Sequence, residues 1–304
     1  MEKQTNIHDK FFKSTFSHVE VAKGFIYEFV NKEISSLIIP SSFQLQSSSY
    51  VNKKLKETFS DIVYQVKTKN ETPLLISFLF EHKSYPDNHL VLQLLQYMIN
   101  AWEQMYRNKQ ELHLIIPVVI YHGEEKWEYK KLDDTVKIPN PKLAKYLAKF
   151  EYHFSNVNNF SEERLLGIAK FMKLRNTLLT LKNGRNETYV TQNMRKLFIN
   201  AEKFVGDTRG TNFLETIFVY LLNVHQFDDD TLDQLIEVFE NPVKKVMLST
   251  YDRIVNKGIE QGTFNAKKNA IINMLQKDFD INTISEILEV DIDVIISIQK
   301  EMLS

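Results

Sequence analysis

The sequence predicts an α/β core followed by an all-helical region. Three observations carry that reading. Near residue 59 the hydrophobic pattern switches from helical spacing to alternation. Two runs, Leu74 to Phe80 and "HLIIPVVIYHG" from His113 to Gly123, are apolar at nearly every position, as strands covered on both faces are. From about Ser161 strand signals disappear, and apolar residues recur only at helical spacing.

Residues 8–32 predict helix, because Phe11, Phe12, Phe16, Val19, Ala22, Phe25, Ile26 and Phe29 fall on a helical stripe. Ser17 interrupts the stripe and is placed to cap a second helix that runs toward Val30. Pro40 and its flanking serines form a loop, and Lys53 to Lys56 a short basic cluster. In "FSDIVYQVK" Ser60, Ile62, Tyr64 and Val66 share one strand face, while Phe59, Asp61, Val63 and Gln65 share the other. The polar stretch "KTKNETP", Lys67 to Pro73, is a turn, and the run from Leu74 returns as the second arm of a hairpin.

Asp87 or Asn88 is the expected N-cap of a long helix with the stripe Val91, Leu94, Leu95, Met98, Trp102 and Met105. Pro117, inside the next strand, calls for a bulge or a position that needs no amide donor. Helix–strand–turn–strand–helix–strand is an α/β order. Beyond it Ser161 caps "SEERLLGIAKFMKLRNTLLTLK", with Glu162 and Glu163 in the first turn, and 189–206, 211–225 and 230–256 also predict helices. Gly258 and Gly262 mark a joint, followed by short helices over 264–278, 282–290 and 292–302.

With 304 residues the chain can bury a sizeable core, and 43% hydrophobic and 25% charged residues are ordinary for a globular protein. The formal net charge of −1 supplies no global basic field, so any nucleic-acid binding has to rest on a local patch. The absence of cysteine excludes disulfides, thiolate zinc sites, iron–sulfur clusters and cysteine nucleophiles. The polar start "MEKQTNIHDKFF" is neither a signal nor a transit peptide, and no run approaches a membrane span, so a cytoplasmic location without a membrane partner is expected.

The chemistry concentrates where the first apolar run ends, in Glu81-His82-Lys83. Glu81 and Lys83 are two apart on a strand and leave the same face, while His82 points the other way. A hairpin folded about Glu71 sets Asp61 opposite Glu81. Directly opposed positions bring Cβ atoms to about 4.5–5.5 Å. Carboxylates that close repel unless a proton or cation lies between them, and an oxygen-preferring ion such as Mg²⁺ suits the gap. Such an ion acidifies a bound water, and the Lys83 ammonium is placed to orient that water or offset phosphate charge. The set is what phosphodiester hydrolysis requires.

Asp61 followed by Glu81-His82-Lys83 at a strand end resembles the PD-(D/E)XK nuclease superfamily, with Ser60 where the motif has proline. More specifically, "HDKFFKSTFS", "FSDIVYQV", "FEHKS", "LLQYMINAWE" and "IPVVIYHG" resemble, in order, motifs of the Rpn family of recombination-promoting nucleases and transposase-related proteins. The resemblance covers about residues 7–125 by discrete motifs, and the helical remainder more loosely. It implies a restriction-endonuclease-like core, a mixed central sheet flanked by helices, and a Mg²⁺-dependent DNA endonuclease with little sequence preference, Mn²⁺ or Ca²⁺ being alternative ions. It makes Asp61 and Glu81 metal ligands and Lys83 the catalytic lysine. Gln93 and Tyr97, four apart on one helical face, resemble a Q-x-x-x-Y element that contacts the lysine or the DNA backbone. An acid from the first helices often joins such sites, with Asp9, Glu20 and Glu28 as candidates.

Three units follow: 1–160 as the nuclease core, 161–257 as a helical extension packed on it, and 258–304 as a small helix-turn-helix-like or oligomerisation unit. Each signal has a plainer counterpart. An acid and a base ending a strand are often a solvated pair. Tyr97 on a helix face is also a core residue, Gln93 a surface cap, and His8 with Asp9 an N-terminal cap. His122 before Gly123 matches a family motif but suits a structural role. The last unit has the rhythm of a helix-turn-helix, yet Asp280, Glu286, Glu289, Asp291, Asp293 and Glu301 outnumber Lys300, which favours packing or homo-oligomerisation over DNA reading. DNA and a second copy are therefore the expected partners. The competing functions are a DNA-binding accessory protein without turnover and a helical protein-interaction module.

Overall fold

A computed structural model describes residues 2–46, 60–70, 72–81 and 89–303. They form two compact units, Met1–Lys244 and Lys245–Ser304. The first is a small mixed sheet wrapped in helices.

The N-terminal stripe divides as expected, into α1 (Glu2–Phe16) and α2 (Val19–Phe29), but the residue before α2 is His18 rather than Ser17. Ser17 instead donates from its hydroxyl back to the Lys13 carbonyl at 2.5 Å, so it ends α1 and does not cap α2. Because α1 begins at Glu2, His8 and Asp9 lie inside the helix and not at its cap. Asp9 pairs one turn on with Lys13 at 3.1 Å. A short α3 (Lys32–Leu37), capped by Asn31, leads to the two-residue strand β1 (Gln44–Leu45).

The hairpin is β2 (Ser60–Lys67) and β3 (Pro73–Glu81). After α4 (Leu90–Arg107) come β4 (Ile115–Tyr121), a single turn α5 (Leu132–Thr135) and β5 (His153–Asn156). The strand order is β1-β2-β3-β4-β5, antiparallel from β1 to β3 and parallel from β3 to β5. Parallel neighbours need a crossover, and α4 supplies it between β3 and β4. β3 is therefore central, which explains a strand apolar at nearly every position, Ser77 excepted. The β5 ladder begins at Val118, so Pro117 sits where β4 has no partner on that side to miss its amide.

The two sheet faces carry different helices. On one, the Tyr64 hydroxyl donates to the Phe16 carbonyl of α1 at 2.9 Å. On the other, Val63, Val119 and Tyr121 pack with Leu90, Leu94, Tyr97, Met98 and Met105 of α4. Of the expected α4 stripe, Val91, Leu94, Met98 and Met105 are buried and Leu95 and Trp102 partly so, while Leu90, Tyr97 and Ala101 join it. His89 precedes α4 without a side-chain cap, and Asp87 and Asn88 lie outside the described residues.

The helical extension comprises α6 (Glu162–Leu166), α7 (Met172–Asn183), α8 (Glu187–Leu197), α9 (Thr208–Val224) and α10 (Asp229–Glu237). Their breaks follow from caps. Ser161, Asn186, Asp207 and Asp228 each accept from a backbone amide of the following first turn. α7 is buried from Leu174 to Leu181, including Arg175, whose guanidinium donates to the Ile199 carbonyl at 3.1 Å and to Asn200 Oδ1 at 2.9 Å.

The second unit corrects the expected joint at Gly258 and Gly262. Helix α11 (Val243–Leu275) runs unbroken through both, then α12 (Ile281–Leu288) and α13 (Ile292–Leu303) close around Ile271, Ile284, Ile295 and Ile298. A glycine costs about 1 kcal/mol against alanine in a helix interior, and flanks of good helix formers override that. A Cβ at either glycine meets nothing within 4 Å. Gly258→Ala with Gly262→Ala is therefore expected to stabilise this unit by about 1–2 kcal/mol. Thermal unfolding of the full chain, with hydrogen exchange along α11, checks it; unchanged protection there contradicts the reading.

Candidate active site

β2 begins, and β3 and β4 end, at the same edge of the sheet. Ser60 pairs with Phe80 and Asp61 with Leu79, while Glu81 pairs with Tyr121. The expected opposition of Asp61 and Glu81 is thus corrected by two positions along β3. The cause lies in the turn: Thr68 donates its amide to the Thr72 carbonyl at 2.9 Å, and Lys67 pairs with Pro73, so the hairpin folds about residue 70 and not Glu71.

The correction keeps the two acidic positions together. Positions 61, 79 and 81 share parity with Val63, Val119 and Tyr121, which places them on the α4 face. Diagonal neighbours across an antiparallel pair stand about 7–8 Å apart. Mutual repulsion at that spacing no longer demands an ion. It does leave room for one between two carboxylates, given ligand distances of about 2.0–2.1 Å for Mg²⁺, so the donor types fit a hard divalent cation. Lys83, with His82, lies outside the described residues. Among the described residues no group of three or more histidine, aspartate or glutamate side chains is arranged to hold a metal.

The Q-x-x-x-Y pair lies on this face but in different surroundings. Tyr97 is buried in the α4 cluster, whereas Gln93 is half-buried one turn earlier. Tyr97 is thus a core residue by position.

The other face holds what the sequence reading missed. His122, directly after β4, is buried and meets His8 of α1 edge-on, with ring centroids 5.5 Å apart. His8 Nδ1 lies 2.9 Å from the Tyr220 hydroxyl of α9, and Phe11 stacks on the Tyr220 ring at 4.2 Å. Burial pushes the Tyr220 phenol well above its ordinary value, against the pull of the Arg185 guanidinium. Gly123 completes the turn: a Cβ there falls 2.2 Å from the Tyr121 hydroxyl, and its carbonyl accepts from Asn158 Nδ2 at 2.6 Å. The "HDKFF" and "YHG" motifs therefore meet in space. The three- and four-residue spacing of His8 from Phe11 and Phe12 is a signal of burial that the cap assignment of His8 passed over; nothing in the sequence pointed to Tyr220.

The three N-terminal acids separate by what each of them meets. Glu20 reaches Lys173 at 3.7 Å and Glu28 faces Arg164 at 4.0 Å, both in the helical extension. Asp9 follows His8, and only its neighbour touches the end of β4.

Comparison with known proteins agrees with the family resemblance. The family model described as "Putative transposase, YhgA-like" matches residues 6–208. The recombination-promoting nuclease RpnD of Escherichia coli O157:H7 is 32% identical over 132 residues, 42% of this chain and 50% of that one. RpnA of Escherichia coli K12, also named a recombination-promoting nuclease, is 26% identical over 160 residues, 52% of this chain and 54% of that one. The chain thus spans about half the length of these two relatives. A third, the inactive recombination-promoting nuclease-like protein RpnE of the same strain, is 21% identical over 282 residues, 90% of this chain and 91% of that one. No solved structure matches.

Proposed function

Because the chain belongs to the YhgA-like "putative transposase" family, we propose that it is a divalent-metal-dependent DNA endonuclease of the recombination-promoting type, built on a PD-(D/E)XK core. One observation supports this most directly: Asp61 and Glu81 occupy same-face diagonal positions at one sheet edge. That is where two ligands of a single cation are needed. The bound ion supplies Lewis-acid polarisation of a phosphoryl oxygen and an acidified water.

The chain's own residues do the rest. The carboxylates of Asp61 and Glu81 hold the ion. The Lys83 ammonium, two residues beyond Glu81, orients the attacking water and offsets charge that grows on the phosphate oxygens. Gln93 lines the same face, Tyr97 anchors α4 beneath it, and Asp9 is the candidate N-terminal acid, because its neighbour His8 meets His122 just past β4. The test is nicking of a supercoiled plasmid. Nicking is expected with Mg²⁺, to disappear with a chelator and to return when Mg²⁺ is restored. Equal nicking by wild type and Asp61→Ala sinks the assignment.

A second reading has its own observation. The relative that aligns along nine-tenths of both chains is named inactive. On that reading the fold and DNA affinity persist without turnover, and the same assay, run with a binding measurement, decides between them.

A further inference from the structure

Resting on that reading, we propose that the segment from Val136 to Phe150 is the DNA-backbone grip of this protein, with Lys137, Lys142, Lys145 and Lys149 meeting phosphates and Tyr146 stacking on an unpaired base. From Thr135 to Phe150 the sequence holds these four lysines and no acid. All four are exposed, and among the described residues none of their ammonium groups enters a salt bridge. The cation-rich stretch 164–185 differs, because there Arg164 faces Glu28, Lys173 faces Glu20, Lys182 donates to the Asn158 carbonyl and Arg175 is buried on carbonyls.

A solvated charge run does not account for the apolar members. Tyr146 is 76% exposed with the Lys145 ammonium 5.1 Å from its ring centroid, and Leu143 is 45% exposed. An exposed aromatic ring among lysines is the element that holds single-stranded nucleic acid, through base stacking beside phosphate contacts. The segment is also held firmly. Leu132, Leu147, Phe150 and Tyr152 pack into the α4 cluster, Asn140 accepts from the Lys142 amide at 2.9 Å, and the Tyr152 hydroxyl donates to the Lys130 carbonyl at 3.0 Å. These anchors join the hydrophobic cluster on the sheet face that carries positions 61 and 81, while the four lysines stay exposed. The flanking acids are Asp133, Asp134 and Glu151; the last two are charges felt at Tyr129, and Asp134 also accepts from the Lys131 amide.

The experiment measures binding of labelled duplex and single-stranded oligonucleotides to the full chain in metal-free buffer, across a range of salt. Lys142→Gln, Lys145→Gln and Lys149→Gln together are expected to lower the duplex salt slope by about 0.9 for each phosphate that is no longer neutralised. Tyr146→Ala is expected to weaken single-strand binding about 5- to 150-fold with the slope unchanged. A control triple at exposed Lys32, Lys69 and Lys203 is expected to leave the slope as it was.

The proposal is overturned if the wild type binds neither oligonucleotide, if both triples change the slope equally, or if the first triple abolishes binding to phosphatidylglycerol vesicles but not to DNA. Since binding is read without metal, a chain that grips DNA through these residues but never nicks refutes the nuclease reading alone. Melting temperatures confirm that the exposed substitutions leave the fold intact.

Discussion

Replacing Lys83 by alanine is expected to slow Mg²⁺-dependent nicking by about 10²–10³-fold, the range for removing one preorganised electrostatic group from a reaction centre. Glu81→Ala is expected to cost at least as much, because on the proposed function it removes a metal ligand as well as a charge. The two should differ in how they respond to metal. Raising Mg²⁺ partly rescues a weakened ligand set but does nothing for a missing ammonium. DNA affinity in metal-free buffer is expected to stay within about twofold for Lys83→Ala, since a single ammonium neutralises one phosphate at most. Wild-type rates in both variants would trace the nicking to a contaminant. A lysine effect that disappears at high Mg²⁺ would move Lys83 from the chemistry to metal binding.

The largest stability effect is expected at Phe16. It is fully buried, stacks on Phe12 with centroids 4.3 Å apart and meets Phe25 edge-on at 5.8 Å. Phe16→Ala should destabilise the Met1–Lys244 unit by about 3–5 kcal/mol, from the forfeited transfer energy and the cavity left behind. That is a large part of the roughly 5–15 kcal/mol typical of a domain. Tyr64→Phe, which deletes only the hydroxyl that donates to the Phe16 carbonyl, is expected to cost about 1 kcal/mol. Urea unfolding followed by Trp102 and Trp127 fluorescence measures both. A loss under about 1 kcal/mol for Phe16→Ala would put the aromatic face of α1 outside the cooperative core.

Periodicity made the main elements legible. The helical stripe through Phe11, Phe16, Phe25 and Phe29, the alternation from Ser60 and the α4 stripe correspond to observed elements. So does the change at Ser161, because its cap sits directly before acids and an apolar run. Register was not legible. "KTKNETP" holds no two-residue turn signal such as Asn-Gly, so its centre was open by a residue, and one residue moves the pairing by two. β1 and β5 escaped because two and four residues are too few for a period to appear.

At the candidate site, strand parity identified the shared face of Asp61 and Glu81 but not their spacing. Whether Tyr97 was core or surface required knowing which side of α4 meets the sheet. The His8–Tyr220 hydrogen bond joins positions 212 apart, and no local pattern encodes it. Tyr220 also lies beyond residue 208, where the family model stops.

That pairing sets a clock on biosynthesis. At about 5–20 residues per second, a ribosome finishes α9 on the order of 10–40 s after α1. For that interval His8 and Phe11 have no Tyr220 to pack against. The sheet strands and α4 are already made by then. The contact of His8 with His122, just past β4, gains its Tyr220 partner only then, so a chain interrupted before Tyr220 lacks the last member of the cluster behind that end of the sheet.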